Sequence, residues 1–378
     1  MEFLTGFGGS ILYYALPFLF VLTVVIFFHE LGHFLVARWC GVKIEAFSIG
    51  FGREIAGFYD RHGTRWRLAW IPLGGYVKFH GDASAASTPD QGAIEQMSEE
   101  ERRGSFHAKP LGQRAAIVAA GPFANFLLAI AIFAVVFMTV GRFITPAVVD
   151  IVNPGSAAEQ AGFESGDEIL AIDGQEIGSF SDMQRIVSVS PDQELTFLVQ
   201  REGEQITLSA VPRRQEIEDR FGNVHRIGLL GIQRSADAGE VVRERSGPIA
   251  ALWLGTQETW FVIDRTGRYI WGLISGREAA DQLGGPIRIA QISGQVAEAG
   301  FVALLNLTAV LSISIGILNL LPIPLLDGGH LVFYAVEAVR GRPLSERAMD
   351  IGFRVGLALV VMLMIFVTWN DILQISGL

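Results

Sequence analysis

From Ala115 to Val140 the chain runs for 26 residues without one charged side chain. About 20 apolar residues are what a helix needs to cross a bilayer, so the run reads as a membrane-spanning helix. Three more stretches share the character. Residues 11–28 open an apolar run that extends to Ala37, residues 299–326 are uncharged between Glu298 and Asp327, and residues 355–371 are short but dense in Leu, Val, Met and Ile. Half of the 378 residues are hydrophobic and only 18% are charged. The expected fold is an α-helical polytopic membrane protein with four transmembrane helices and soluble parts between them.

The first of these helices (within residues 1–40) contains His29-Glu30-Leu31-Gly32-His33. An ionisable side chain near the middle of such a helix costs roughly 2.5–3.5 kcal/mol on insertion scales, and three stand within these five residues. On a helix His29 and His33 lie one turn apart on one face, where two imidazoles can grip one metal ion. Glu30 projects about 100° away and can reach a metal-bound water without being a ligand. The plainer reading is a chance match at a helix end that has already reached the headgroups, but chance matches rarely interrupt a helix this apolar, and a metal site is the better reading.

Loop charges set an orientation. Residues 38–109 carry ten Lys and Arg, the loop 331–354 carries four, and neither residues 1–10 nor the tail after Asn370 carry any. Four spans with both termini outside satisfy these counts, so His29 and His33 are expected towards the cytoplasmic side and residues 142–298 outside. Glu2 precedes the first apolar run with no Lys or Arg, which is not a signal peptide's basic start, so the first helix is expected to be retained. A net charge of −10 argues against nucleic acid as a partner. One cysteine, Cys40, excludes an internal disulfide and a cysteine-based zinc cluster.

In the cytoplasmic-side loop 41–110, residues 64–80 alternate on both sides of Pro72-Leu73-Gly74-Gly75, a β-hairpin signal. Such a membrane-associated hairpin either anchors at the headgroups through Trp66, Trp70 and Tyr76 or offers an edge strand to an extended peptide near the metal. Residues 82–105 read as a flexible linker. In the second span (111–141), Gly121-Pro122 need neighbouring helices to take up freed backbone groups. Asn125 needs a hydrogen-bonding partner, either in the bundle or on a substrate.

Between 142 and 215 the pattern turns soluble. A strand at 148–152 is followed by a helix at 155–162 closed by Gly162, a strand at 168–172, a helix at 180–189, and strands at 194–200 and 205–211 joined at Glu202-Gly203. The succession, above all Ser156-Ala157-Ala158-Glu159-Gln160-Ala161-Gly162 and Ser165-Gly166-Asp167-Glu168-Ile169, resembles a mixed α/β PDZ domain in one copy. Such domains add a peptide as an extra strand; the plainer reading is a small β domain without a ligand. Residues 216–298 form an extracytoplasmic linker in which Pro248–Ile274, aromatic yet charged at its centre, reads as an amphipathic interfacial helix.

The third span (299–330) ends in Asn319-Leu320-Leu321-Pro322-Ile323-Pro324-Leu325-Leu326-Asp327-Gly328-Gly329-His330. Two prolines two residues apart cannot sit in a regular helix, so the backbone must open at 321–327, which membrane depth tolerates only inside protein or beside a wet cavity. A catalytic zinc commonly has three protein ligands plus water. Asp327 is the candidate third ligand, its other reading being a cap on the next helix. His330 is a rival ligand or a neighbour of Asp327.

Together, His29-Glu30-Leu31-Gly32-His33, Phe47-Ser48-Ile49-Gly50-Phe51-Gly52, Ile71-Pro72-Leu73-Gly74-Gly75-Tyr76-Val77, Gly121-Pro122 with Asn125, and Asn319 through His330 resemble the site-2 protease family of intramembrane zinc metalloproteases, in particular its bacterial regulator-of-sigma-E protease branch. Five motifs in order with a PDZ-like insert cover nearly the whole chain. The resemblance implies zinc held by His29, His33 and Asp327, Glu30 as the catalytic acid and base, and Gly74 and Gly75 presenting a substrate strand. It implies that Asn319 helps to bind substrate, and Asn125 is a further candidate there. By the same route the protein is placed in a bacterial inner membrane, and its substrates are single-pass membrane proteins such as trimmed anti-sigma factors or remnant signal peptides. A metal-ion transporter would need neither a PDZ domain nor Glu30, and a catalytically inactive PDZ scaffold would have no use for His29, Glu30, His33 and Asp327.

Overall fold

The computed structural model describes residues 2–82, 96–218, 224–234, 242–277 and 284–376. The chain divides into two compact units, residues 1–136 with 249–371, and residues 137–248 with 372–378. Among the described residues four helical stretches are long and apolar enough to cross a membrane: Tyr13–Trp39, Leu111–Thr139, Phe301–Leu320 and Arg347–Leu373. They are the four expected from the sequence. The last begins earlier than expected because its charged first turns stay helical and exposed, with Arg354 paired to Asp350 one turn away at 2.9 Å.

Helix α1 (Glu2–Trp39) leads into β1 (Ile44–Tyr59) and β2 (Arg65–Phe79). The two halves of 64–80 do not pair with each other as a hairpin. Instead both flank residues 44–49: Phe47 is matched to Val77 on one side and to Trp66 on the other. On the Trp66 side, residues 46–49 run beside 65–68 with their numbers rising together, and residues 56–59 then pair antiparallel with 68–65. The strand order across the sheet is therefore 54–59, 65–69, 44–49, 75–79. Gly50 and Gly52, at φ +87° and +86°, allow β1 to turn back and leave a slot for the first half of β2. Trp66 fills that slot, stacked on Phe47 at 4.3 Å and on Phe58 at 6.1 Å. Residues 75–79 are left as an edge with no further strand among the described residues.

Helix α2 (Glu99–Gly104) closes part of the expected linker; Ser98 and Glu101 form a capping box at its start. The rest of that linker, residues 83–95, lies outside the described residues. Helix α3 (Leu111–Thr139) is the most enclosed of the four apolar helices, with 44% of its apolar window buried against 11% for the last one.

The second unit enters on β3 (Arg142–Ile144) and leaves on β12 (Val242–Glu244), which pair Arg142 with Glu244. Between them lie β4 (Ile151–Val152), α4 (Ala157–Ala161), β5 (Glu168–Ile172), β6 (Gln175–Glu176), α5 (Phe180–Ser188), β7 (Leu195–Arg201), β8 (Glu204–Ala210), β9 (Arg213–Glu218), β10 (Val224–Leu229) and β11 (Ile232–Gln233). The main sheet runs β6-β5-β7-β8, and β11 pairs with β4. Glu202 and Gly203, both left-handed, make the tight turn that joins β7 to β8. Val149, Ile169, Ile172, Phe197 and Val199 form the core. The ladder of β9 with β10 falls where the sequence suggested only a linker, because alternating charges hid its period; residues 219–223 and 235–241 lie outside the described residues.

Helix α6 (Pro248–Ile274) buries Ala251, Gly255 and Thr259 on one face, Gly255 lying against Ile130 and Ala134 of α3, and exposes Trp253, Trp260 and Trp271. Helix α7 (Pro286–Glu298) packs on α1. Helices α8 (Phe301–Leu320), α9 (Asp327–Arg340) and α10 (Glu346–Ser376) complete the first unit. Helix α7 has no side-chain cap of its own. Its free N–H groups are satisfied by buried Asp371 of α10, which accepts from Gly285 at 2.8 Å and from Ile287 and Arg288 at 3.1 Å.

Candidate metal centre

His29 and His33 sit one turn apart on α1, both 9% exposed, on the face turned towards α3. Their rings meet edge to face, with the two Nε2 atoms 3.3 Å apart. The His33 Nδ1–H donates to the carbonyl of Ile117 at 2.9 Å, which leaves the Nε2 lone pair free. Gly121, one turn further along α3, faces the same ring: a Cβ there would fall inside the His33 imidazole. Asn125, one turn further still and fully buried, places its amide 3.3 Å from His29 Nδ1.

The third group comes from the far side of the proline-broken segment. Helix α8 stops at Leu320, and Leu321 turns extended. The segment then satisfies itself through short turns, Ile323 N–H to Leu321 O at 2.7 Å and Leu326 N–H to Ile323 O at 3.0 Å. Leu325 holds φ +105°, a strained value for a non-glycine residue. Gly328 and Gly329 leave room for the carbonyls of Leu320, Leu321 and Ile323 to lie against the start of α9. The N-cap of α9 is Leu326, with no side-chain cap, so Asp327 is not spent on capping that helix. Its Oδ2 lies 3.2 Å from His29 Nε2 and 3.5 Å from His33 Nε2, buried, in hydrogen-bonding geometry with neither.

These three separations test a metal directly. With zinc–ligand bonds of about 2.0–2.1 Å, the edge of a ligand tetrahedron is about 3.3 Å long. The observed edges are 3.2, 3.3 and 3.5 Å. Two imidazole Nε2 atoms and an orphaned carboxylate oxygen form a donor set that suits zinc. Among the described residues this is the only cluster of its kind.

A cavity of about 210 Å³ opens on the cluster, and Glu30, Gly75, Val77, Asn319 and Tyr334 are among its lining. Glu30 stands outside the three-residue cluster. Gly75 lies flat on α1: a Cβ there would sit 3.2 Å from Glu30 Cγ and 2.8 Å from the Ser48 carbonyl. Asn319 lines the same cavity as His29, His33 and Asp327. Gly74 does not line it; it lies at the turn, under the ring of Phe51. Asn125 is also off the lining, behind His29. His330 lines the cavity with its ring among Phe333, Tyr334 and Phe353, outside the three-residue cluster. The support given by Ile117 and Gly121 had no signal in sequence beyond the Gly-Pro pair, because a backbone carbonyl carries no residue identity.

Four helices long and apolar enough to cross a membrane, an HExxH face and a carboxylate delivered by a broken helix have the make-up of a membrane metallopeptidase. The sequence profile of Peptidase family M50 matches residues 17–363. A protein of Rhizobium meliloti named "Putative zinc metalloprotease R01501" is 53% identical over 367 residues, covering 97% of this chain and 98% of its own. The metalloprotease MmpA of Caulobacter vibrioides is 44% identical over 376 residues, covering 94% of each chain. The chain belongs to peptidase family M50, the site-2 protease family, and is a zinc metallopeptidase, as the motifs implied.

Proposed function

We propose that this peptidase cuts single-pass membrane segments, such as a trimmed anti-sigma factor or a remnant signal peptide, at a site held by His29, His33 and Asp327 with Glu30 as acid and base. One observation carries the reading: Glu30, the three ligand atoms and the free edge of residues 75–79 share one cavity. When bound, zinc supplies Lewis acidity towards water and the scissile carbonyl. Glu30 takes the proton of the attacking water on a carboxylate oxygen and hands it to the leaving nitrogen. A peptide bond inside a lipid-embedded helix is shielded and already hydrogen-bonded, so the segment must unwind first. Each backbone group left bare in hydrocarbon costs several kcal/mol. Pairing with the edge at Gly75–Phe79 offsets that cost, and the Asn319 amide adds hydrogen bonds to the extended backbone.

Asp327→Asn keeps size and loses charge. It is expected to weaken zinc retention by at least tenfold in detergent-solubilised protein, read by metal analysis after graded chelation. Unchanged retention would remove Asp327 from the ligand set.

The unit of residues 137–248 serves in this reading as a PDZ-like gate outside a bacterial inner membrane, with both chain termini on the same side and the metal centre towards the cytoplasm. The β4–β11 pair and helix α5 beside β10 support the PDZ-like reading. Because Arg142 pairs with Glu244, residues 142–244 can be replaced by a short Gly-Ser linker without spanning a gap. That deletion is expected to permit cleavage of substrate whose ectodomain is still folded, assayed in membranes beside a trimmed substrate. If the trimmed form is cut and the folded form stays intact, the gate lies elsewhere.

A further inference from the structure

Zinc can take a neutral imidazole through Nε2 only if the proton sits on Nδ1, and that proton then needs an acceptor. His33 has one in the Ile117 carbonyl at 2.9 Å. For His29 the neighbouring group is the Asn125 amide, whose Nδ2 stands 3.3 Å from His29 Nδ1 while its Oδ1 is buried without a partner. As placed, the amide donates to Nδ1 and would drive the His29 proton onto Nε2, where it would face Asp327 and the other imidazole. The oxygen and nitrogen of an amide exchange places by a half-turn, and their assignment follows from the hydrogen-bond network. That half-turn puts the orphaned Oδ1 on the Nδ1–H and frees Nε2. Asn125 itself is held in place: it is fully buried, and its backbone carbonyl accepts from Ser312 Oγ of α8 at 2.9 Å.

We propose that Asn125 is a positioning residue that accepts the His29 Nδ1–H through Oδ1 and so fixes the tautomer that presents Nε2 to zinc. Residues 117, 121 and 125, spaced by one turn on α3, then form a single supporting stripe: a carbonyl for His33, a flat glycine under its ring, and an amide oxygen for His29. The inference rests on His29 being a zinc ligand.

The test is zinc affinity by chelator competition in solubilised full-length protein, with helicity and melting of the zinc-free form as fold controls. Partners of ligating histidines typically contribute 10–100-fold in affinity. Asn125→Leu is expected to lose roughly that factor, whereas Asn125→Asp, which keeps an acceptor at Nδ1, is expected to bind zinc within a few-fold of wild type. If Asn125→Leu does not fold, Asn125→Ala removes the amide without added bulk and carries the same expectation. Equal losses in the Asp and the apolar variants, or no loss in the apolar ones, overturn the proposal. His29→Ala separates the two levels. If it keeps zinc, the ligand assignment fails; if it loses zinc while Asn125→Leu keeps it, only the role of Asn125 fails.

Discussion

Glu30→Gln is expected to stop peptide cleavage while leaving zinc in place. The substitution preserves the length and shape of the side chain. A glutamine cannot take up the proton of an attacking water. General acid–base catalysis by one positioned side chain is worth about 10²–10⁴-fold, and here the same group serves both proton transfers. A fall at the upper end of that range is therefore expected. The three candidate ligand atoms come from His29, His33 and Asp327, so the charge of Glu30 is not needed to hold the ion. The measurement pairs cleavage of a tagged single-pass segment with zinc content of the same preparation. Normal cleavage with zinc bound would sink the assignment, and loss of zinc along with cleavage would make Glu30 a structural part of the metal site instead.

The four spans were legible because hydrocarbon imposes one solution on backbone, and uncharged runs announce it without reference to neighbours. The HExxH face was legible for a similar reason, since helical periodicity alone puts His29 beside His33. Asp327 could be proposed because Pro322 and Pro324 forced the preceding helix to end, but the residues alone left a metal ligand and a cap on the next helix both open. Leu326 occupies the cap position, and Asp327 Oδ2 instead meets both imidazoles.

The sheet was legible in content and not in order. Residues 64–80 have the pattern of a hairpin, but pattern reports which faces are apolar and not which strand lies alongside. Partner choice was decided by the reversal at Gly50 and Gly52 and by Trp66 stacking between Phe47 and Phe58, contacts between residues up to 19 positions apart. Asp371 is a further case. A lone carboxylate at the end of the last span gives no hint that it closes the start of a helix 83 to 86 residues earlier.

Gly121→Ala is expected to cost the protein its zinc, although it adds one methyl group at a helical position where alanine is intrinsically the better residue. In an exposed helix interior the exchange gains about 1 kcal/mol. Gly267 of α6 offers that control, since nothing lies within 4 Å of where its Cβ would be. At Gly121 the new Cβ would overlap the His33 ring. Two responses are open, and both damage the centre. If α3 moves away from α1, the Ile117 carbonyl leaves His33 Nδ1 and the Asn125 amide leaves His29 Nδ1, bonds of 2.9 and 3.3 Å that have little slack. If the His33 ring rotates instead, its Nε2 leaves the set of three atoms whose 3.2–3.5 Å spacing suits one ion. Gly121→Ala is thus expected to lower zinc affinity at least as far as loss of a supporting hydrogen bond, roughly 10–100-fold, and cleavage with it. Gly267→Ala should keep both and melt no lower than wild type. Zinc affinity at the wild-type level in Gly121→Ala would mean that α3 can yield at no cost, and the view of this helix as the rigid backing of both histidines would have to be given up.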